Sequence, residues 1–413
     1  MSLLTLNAGS SSLKFALHDE AHDDDGEPVL LLAGQIAGLD ATPRLELALA
    51  GRAREVTPLA REGPDAVAGL DDALAIVLER LPGWAPGRTV RAVGHRVVHG
   101  GVAYAAPLVI DDGALAALQA LCPLAPLHQP YNLAGIRAAR ARFPGVLQLA
   151  CFDTAFHRGH PFVHDTFALP RELHAAGVRR YGFHGLSYAY VARRLARLDR
   201  RAAAGRAVVA HLGSGASACA LHGGRSLAST MGFTALDGLP MGTRPGQLDA
   251  GVLLWLIAER GLDGAALTEL LYRQSGLKAL SGISADMRTL RESRDPRARE
   301  AIDYFVARLR EAVGALAAAL GGLDAVVFTG GIGEHDALTR SETVSGLAFL
   351  GLALDEAANA AHGRESEGLI SPAGAPVRVW VVPTDEEAEI ARHLGEALRA
   401  ADGPPGPRAR ESS

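Results

Sequence analysis

Residues 4–19, LTLNAGSSSLKFALHD, and residues 208–223, VVAHLGSGASACALHG, match without gaps at an offset of 208 − 4 = 204. Gly9 aligns with Gly213, Ser10 with Ser214, and Ala16-Leu17-His18 with Ala220-Leu221-His222. Each segment reads as strand, Gly/Ser turn, strand. Two such units half a chain apart predict a duplicated domain. Further apolar strands are expected at 91–98, 146–152, 325–329 and 377–382. Helical periodicity marks 65–81, 131–143, 249–260, 295–320 and 384–400. In the first of these Val67, Leu70, Ala73, Leu74 and Val77 share one side. Asp295-Pro296 reads as an N-cap followed by a first-turn proline. Strands alternating with helices imply an α/β protein.

Composition agrees and removes other classes. The chain has 413 residues, enough for two or three domains, and 48% are hydrophobic against 21% charged, which is globular. Its formal net charge of −5 leaves no electrostatic footprint for nucleic acid. The three cysteines, Cys122, Cys151 and Cys219, form no CxxC pair, which fits a reducing cytoplasm better than a disulfide framework. No signal peptide is read at the N-terminus. The uncharged stretch 113–136 contains Pro123, Pro126, Pro130, His128 and Asn132, so it is not read as a membrane span. Lys14 and Lys278 are the only lysines, which draws attention to the first.

Several local patterns carry chemistry. The first turn offers Asn7, the hydroxyls of Ser10, Ser11 and Ser12, and the Lys14 ammonium, donors that suit phosphate oxygens. A hairpin turn with a solvated lysine is the plain alternative. The second turn, His211 to Ser217, and the cluster Gly330-Gly331-Ile332-Gly333 offer backbone close to a ligand. Arg96 reads as a strand-end arginine beside a Gly-rich turn and Arg244 lies in a Gly/Pro loop, where a guanidinium fork can hold carboxylate or phosphate or simply form a surface ion pair. His184 lies in a loop between Phe183 and Gly185. Asp153 ends a buried strand, where α/β sheets bind ligands. Thr384 and Glu387 fit a T-x-x-E capping box. That leaves Glu386 open between helix electrostatics and a ligand to Mg²⁺.

Taken together these segments resemble the acetate kinase family. The residues that carry the resemblance are NAGSSSLKF (7–15), GHRVVHGG (94–101), APLH (125–128), FDTAFH (152–157), RRYGFHGLS (179–187), MGFT (231–234), MGTR (241–244), SADMR (284–288), FTGGIGE (328–334) and PTDEE (383–387), in the family's order. The resemblance implies two duplicated actin-like (ribonuclease H-like) domains with an interdomain cleft. The first domain is expected over 1–153 plus 384–400, the second over 154–383, with a disordered tail at 401–413. It implies reversible transfer of the γ-phosphoryl of ATP to acetate, giving acetyl phosphate and ADP, with Mg²⁺ (or Mn²⁺). A homodimer built from the second domain is implied too, with no nucleic-acid or membrane partner.

Residue by residue, the resemblance places Arg96, Arg244, His184 and Asp153 at the transfer point, with His128 in support. Asn7 and Glu386 are the implied metal ligands. Lys14, Ser10, Ser12, His211, Gly213, Ser214 and Gly215 fall near the phosphates. Asp286, Met287, Arg288, Gly331, Ile332 and Gly333 fall at the nucleoside. Val98, Leu127, Phe183 and Ala235, with Arg96, line the acyl pocket. The sequence also departs from the family pattern. Ser214 stands where the family has Asn, Gln247 where it has Asp, Leu186 and Tyr188 where it has Thr and His, and Ala235 where it has Pro. The last substitution opens a propionate-preferring alternative. A catalytically weak nucleotide-binding protein on the same scaffold is the other.

Overall fold

The structure is a computed structural model. It describes residues 1–402 apart from 10–11, 24–25, 40 and 61–66. The expectations for Ser10 and for the tail beyond 402 lie outside the described residues. The chain forms two compact units. One holds Met1–Ala155 and the chain from Asp385 onward; the other is Phe156–Thr384.

The first unit contains β1 (Ser2–Ala8), β2 (Ser12–His22), β3 (Pro28–Ala37), β4 (Arg44–Leu49), β5 (Glu55–Pro58), β6 (Val90–Val97), β7 (Leu108–Val109) and β8 (Leu147–Phe152). They form one sheet in the order β5-β4-β3-β2-β1-β6-β8-β7. The second unit contains β9 (Arg206–Leu212), β10 (Ala216–His222), β11 (Arg225–Ser229), β12 (Ala325–Thr329) and β13 (Arg378–Val381), ordered β11-β10-β9-β12-β13. Within the first sheet β3-β2-β1-β6-β8 repeats that order. In both units the first three of these strands pair antiparallel and the last two join in parallel. The same topology twice is the duplication read from the two turns.

The echo is shorter in space than in sequence. Asn7 pairs with Lys14 across the first turn, whereas His211 pairs with Ser217 across the second. The second turn is therefore one residue tighter. Its returning strand slips by one against the ungapped match, so Ala220, opposite Val208, is the counterpart of Leu17, opposite Leu4. A slip of one residue exchanges the faces of a strand. The shared Ala-Leu-His is thus a coincidence of letters.

Packing explains the helix boundaries. The first long helix is Leu70–Trp84, with Gly69 extended at φ −169. It begins later than periodicity suggested, although Val67 is buried with Ala73, Leu74 and Val77. They pack on Leu4, Leu6, Phe15 and Val93 of the sheet. The C-terminal helix, Glu386–Asp402, runs two residues into the expected tail. It lies against β6 because Gly94 leaves room: a Cβ there would stand 2.3 Å from Ile390 Cγ2. The expected capping box is corrected. Asp385 caps this helix through Ala388 N at 2.8 Å, while Thr384 Oγ1 donates to Ser187 at 2.8 Å. The helix Pro296–Leu320 begins where Asp295-Pro296 predicted. Strands β3 to β5 and the helix Gly185–Leu198 had no expectation. Among the described residues no helix is long and apolar enough to cross a membrane.

Candidate active site

The site residues named from sequence fall into two clusters, one in each unit. In the first, parallel strands β1, β6 and β8 bring their C-terminal ends level. Asn7, Arg96 and Asp153 stand at those ends. Arg96 holds both oxygens of Asp153, with Nε to Oδ1 at 3.0 Å and Nη2 to Oδ2 at 2.6 Å. Its Nη1 donates to Asn7 Oδ1 at 3.2 Å, and Glu386 Oε2 lies 3.5 Å from its Nε. Asp153 is 1% exposed. Burial pushes its carboxyl up to about 6; the Arg96 charge opposes that shift and Glu386 adds to it. Glu387 is not a capping residue: its Oε1 is buried with no hydrogen-bond partner among the described residues. Burial raises its pKa, and the nearby Lys14 charge lowers it. Lys14 itself is exposed on β2, opposite Asn7.

Second-layer contacts brace these groups. Asn132 accepts from Val98 N at 3.0 Å and donates to Ala8 O at 2.7 Å, so it ties the ends of β1 and β6 together. Gln129 accepts from His99 N at 3.2 Å and donates to His99 O at 3.1 Å, which fixes the chain just beyond β6. His128 begins the helix Gln129–Arg142. Val98 is buried, and Leu127 and His128 are half-buried.

The second cluster surrounds the turn 213–215. His184 ends the loop 176–184, as expected, and stands at the N-cap of the helix Gly185–Leu198, in the left-handed region at φ 57 and ψ 26. A non-glycine residue held there carries strain that its surroundings must offset, and such positions gather at functional sites. Its ring stacks on His211, centroid to centroid 4.2 Å. His184 Nδ1 lies 2.8 Å from Ser217 Oγ, and His211 Nδ1 lies 2.8 Å from Ser187 Oγ. Arg244 donates to Ala235 O at 2.7 Å. A Cβ on Gly215 would stand 2.7 Å from Arg244 Nη2 and 3.5 Å from His184 Nε2, so the guanidinium and the imidazole converge over that glycine. Arg244 is half-buried and no carboxylate among the described residues pairs with it. Burial lowers its pKa. A guanidinium held this way can accept an anion in a bidentate grip.

The remaining residues fall in this unit as well. Ser214 is exposed at the tip of its turn, and its carbonyl accepts from Gly242 N at 3.1 Å. Asp286 caps the helix Met287–Glu292 through Thr289 N at 3.0 Å and pairs with Arg288 at 3.4 Å. Met287 is buried. Gly331 has open space around it, and Ile332 is half-buried. Gly333 O accepts from Arg340 Nη1 at 2.7 Å. Phe183 is buried and Ala235 half-buried. Gly330 N and Thr384 N both donate to Glu334 Oε1, at 2.8 and 3.1 Å. Thr384 then reaches His211 through Ser187. Ser187, Ser217, Glu334 and Arg340 were not singled out from the sequence, because hydroxyls and a buried arginine give no spacing signal.

The acetokinase family model matches residues 2–392. This chain belongs to the acetokinase family. The acetate kinase of Methylocella silvestris is 51% identical over 400 residues, covering 95% of this chain and 96% of that protein. That of Nitrobacter hamburgensis is 50% identical over 397 residues, covering 95% of each chain. Among solved structures, Porphyromonas gingivalis acetate kinase matches with TM-score 0.83 and 35% identity, covering 96% of this chain and 100% of that one. A propionate kinase from Francisella tularensis matches with TM-score 0.85 and 34% identity, covering 95% and 98%. The fold is therefore the actin-like one expected for the acetokinase family. The departures from the acetokinase pattern lie at unequal depths. Gln247 and Ser214 are exposed. Leu186 and Tyr188 are buried, and Tyr188 Oη reaches Ser217 Oγ at 2.5 Å.

Proposed function

We propose that this chain catalyses the reversible phosphorylation of acetate by ATP, giving acetyl phosphate and ADP. The observation that carries the reading is Arg244, half-buried beside His184 with no carboxylate among the described residues to neutralise it. The acid needs no general base, because a carboxylate is already ionised at pH 7. The barrier is the repulsion between two anions, and fixed cations and donors lower it most effectively. Arg96 meets the acetate carboxylate, and Arg244 the phosphoryl group in transit. The stacked rings of His184 and His211 donate to its oxygens. Asp153 has both oxygens engaged by Arg96 and so positions that guanidinium.

The donor set fits a hard divalent ion. Asn7 and Glu386 offer oxygen, and the Glu387 oxygen without a hydrogen-bond partner points to a further role for that carboxylate. Mg²⁺ favours one or two carboxylates with phosphates and water completing its shell. Asn7 and Glu386 would hold it, and the ion supplies charge neutralisation at the phosphates. Asp286, Arg288 and Gly331 to Gly333 take the nucleoside, and Lys14, Ser12 and the turn 213–215 the phosphates. The family resemblance assigns Val98, Leu127, Phe183 and Ala235 to the acyl methyl.

The test is acyl-hydroxamate formation with ATP, Mg²⁺ and hydroxylamine, using acetate, propionate and butyrate in parallel. Acetate is expected to give the highest kcat/KM. Propionate follows within roughly 10–200-fold, since one methylene decides no more than that. ATP binding with no product from any acid would favour the nucleotide-binding reading instead.

The chain works in the cytoplasm as a homodimer through the helix Ala250–Arg260. None of that helix's residues is buried, and Leu254, Trp255 and Ile257 are 68%, 49% and 50% exposed. An apolar face of that kind needs a partner. Trp255→Glu is expected to halve the mass seen by light scattering at micromolar concentration. A monomeric wild type, or a variant of undiminished mass, would contradict this contact.

A further inference from the structure

Tyr188 is fully buried on the helix that His184 caps. Its Oη lies 2.5 Å from Ser217 Oγ, which lies 2.8 Å from His184 Nδ1. A serine hydroxyl has one proton, so it donates to one of these neighbours and accepts from the other. Suppose it donated to Tyr188. The phenol proton would then need another acceptor. Among the described residues Ser217 is the only side chain in hydrogen-bond contact with Oη. The backbone at His211 stabilises the phenol oxygen, as a donor does, and offers that proton nothing. A buried hydroxyl proton without an acceptor is strongly disfavoured. The opposite arrangement satisfies every group. Tyr188 donates to Ser217, Ser217 donates to His184 Nδ1, and the His184 proton sits on Nε2.

We propose that Tyr188, acting through Ser217, is a positioning residue that fixes His184 as its Nε2–H tautomer, so that the ring presents a donor toward the ground over Gly215 where Arg244 also points. A parallel chain supports the idea. Thr384 Oγ1 donates to Ser187, whose own proton then goes to His211 Nδ1 and leaves the second ring a donor at Nε2. Two neutral rings stack at 4.2 Å without the repulsion that two imidazolium ions would feel. Tyr188 is suited to the task because burial holds its phenol pKa well above the ordinary value. Its ring also stands 5.6 Å from that of His157 and near Cys219, neither of which contacts Oη. The use of this donor rests on the phosphoryl-transfer reading; the tautomer does not.

The experiment is NMR of full-length protein labelled with ¹⁵N-histidine, at pH 7.5. The tautomer is read from ring nitrogen shifts and long-range couplings, and His184 is assigned by its loss in His184→Gln. Wild type is expected to show Nε2–H. In Tyr188→Phe the serine hydroxyl is free to accept, so the Nδ1–H form should appear. With it kcat should fall about tenfold, a partial loss of one transition-state donor, while KM for acetate stays within about twofold. Ser217→Ala should release the same tautomer from the other link, and a thermal melt checks that both variants fold. A wild-type His184 that is Nδ1–H or protonated overturns the proposal. So does an unchanged tautomer in both folded variants. A wild type with Nε2–H that forms no acyl phosphate overturns the transfer reading and leaves the relay standing.

Discussion

Arg96→Ala is expected to lose acyl-phosphate formation by roughly a thousandfold and also to lower stability by about 3 kcal/mol. The two losses have one cause. Arg96 holds both oxygens of a carboxylate that is 1% exposed, and it also holds Asn7. Removing it takes a cation from the reaction and leaves Asp153 buried without its partner. The sign of the pH dependence follows. A carboxyl whose folded pKa lies above its unfolded value penalises the fold when ionised. That penalty is complete above the folded pKa and disappears as pH falls to the unfolded value near 4. In the variant the folded pKa rises beyond its present value of about 6, because the opposing Arg96 charge is gone. The destabilisation measured by urea unfolding should therefore shrink between pH 8 and pH 5. The double variant Arg96→Ala/Asp153→Ala should recover stability relative to Arg96→Ala and recover no activity. Equal stability of the two variants at pH 7 would show that the pair is not energetically coupled in this way.

Arg244→Ala is expected to cost a hundredfold to a thousandfold in kcat and less than about 1 kcal/mol in stability. Its guanidinium answers no carboxylate among the described residues and gives up one hydrogen bond, to Ala235 O. With no ion pair among the described residues to break, the fold loses little when it goes. Hydroxamate assays and urea unfolding on the same preparations separate the two arginines. Arg96 should move both readings, and Arg244 activity alone. A large stability loss at Arg244 would mean that it serves as a structural strut, and the anion site would have to be sought elsewhere.

Much of the fold could be read from sequence because it is written in local signals. The two Gly/Ser turns, the apolar strands at 325–329 and 377–382, and the cap at Asp295 each depend on a few adjacent residues. Strands β3 to β5 are not legible in the sequence because β3 and β4 are only partly buried, β5 is exposed at the sheet's edge, and none shows a clean alternation. The helix at 384–400 was found, but its cap was assigned to Thr384. Local pattern favoured T-x-x-E, and only the fold shows that Thr384 is occupied by Ser187 and that Asp385 performs the capping.

The site divides along the same line. By itself the sequence determined which residue types stand in which order, and that order placed the chain in its family. It also set the α/β duplication, since a strand–turn–strand unit is a local object. What only the tertiary structure decided is how each charge is used. Arg96 and Arg244 look alike as arginines beside glycines; one is clasped by Asp153 and the other is not. Glu386 and Glu387 are neighbours, yet the second keeps a buried oxygen without a hydrogen bond. Ser187, Ser217 and Tyr188 acquire meaning only when strand pairing and helix packing set them beside His211 and His184. Spacing along a chain fixes what can be near within a turn or two. Hydrogen-bond partners dozens of residues apart are chosen by sheet register and packing.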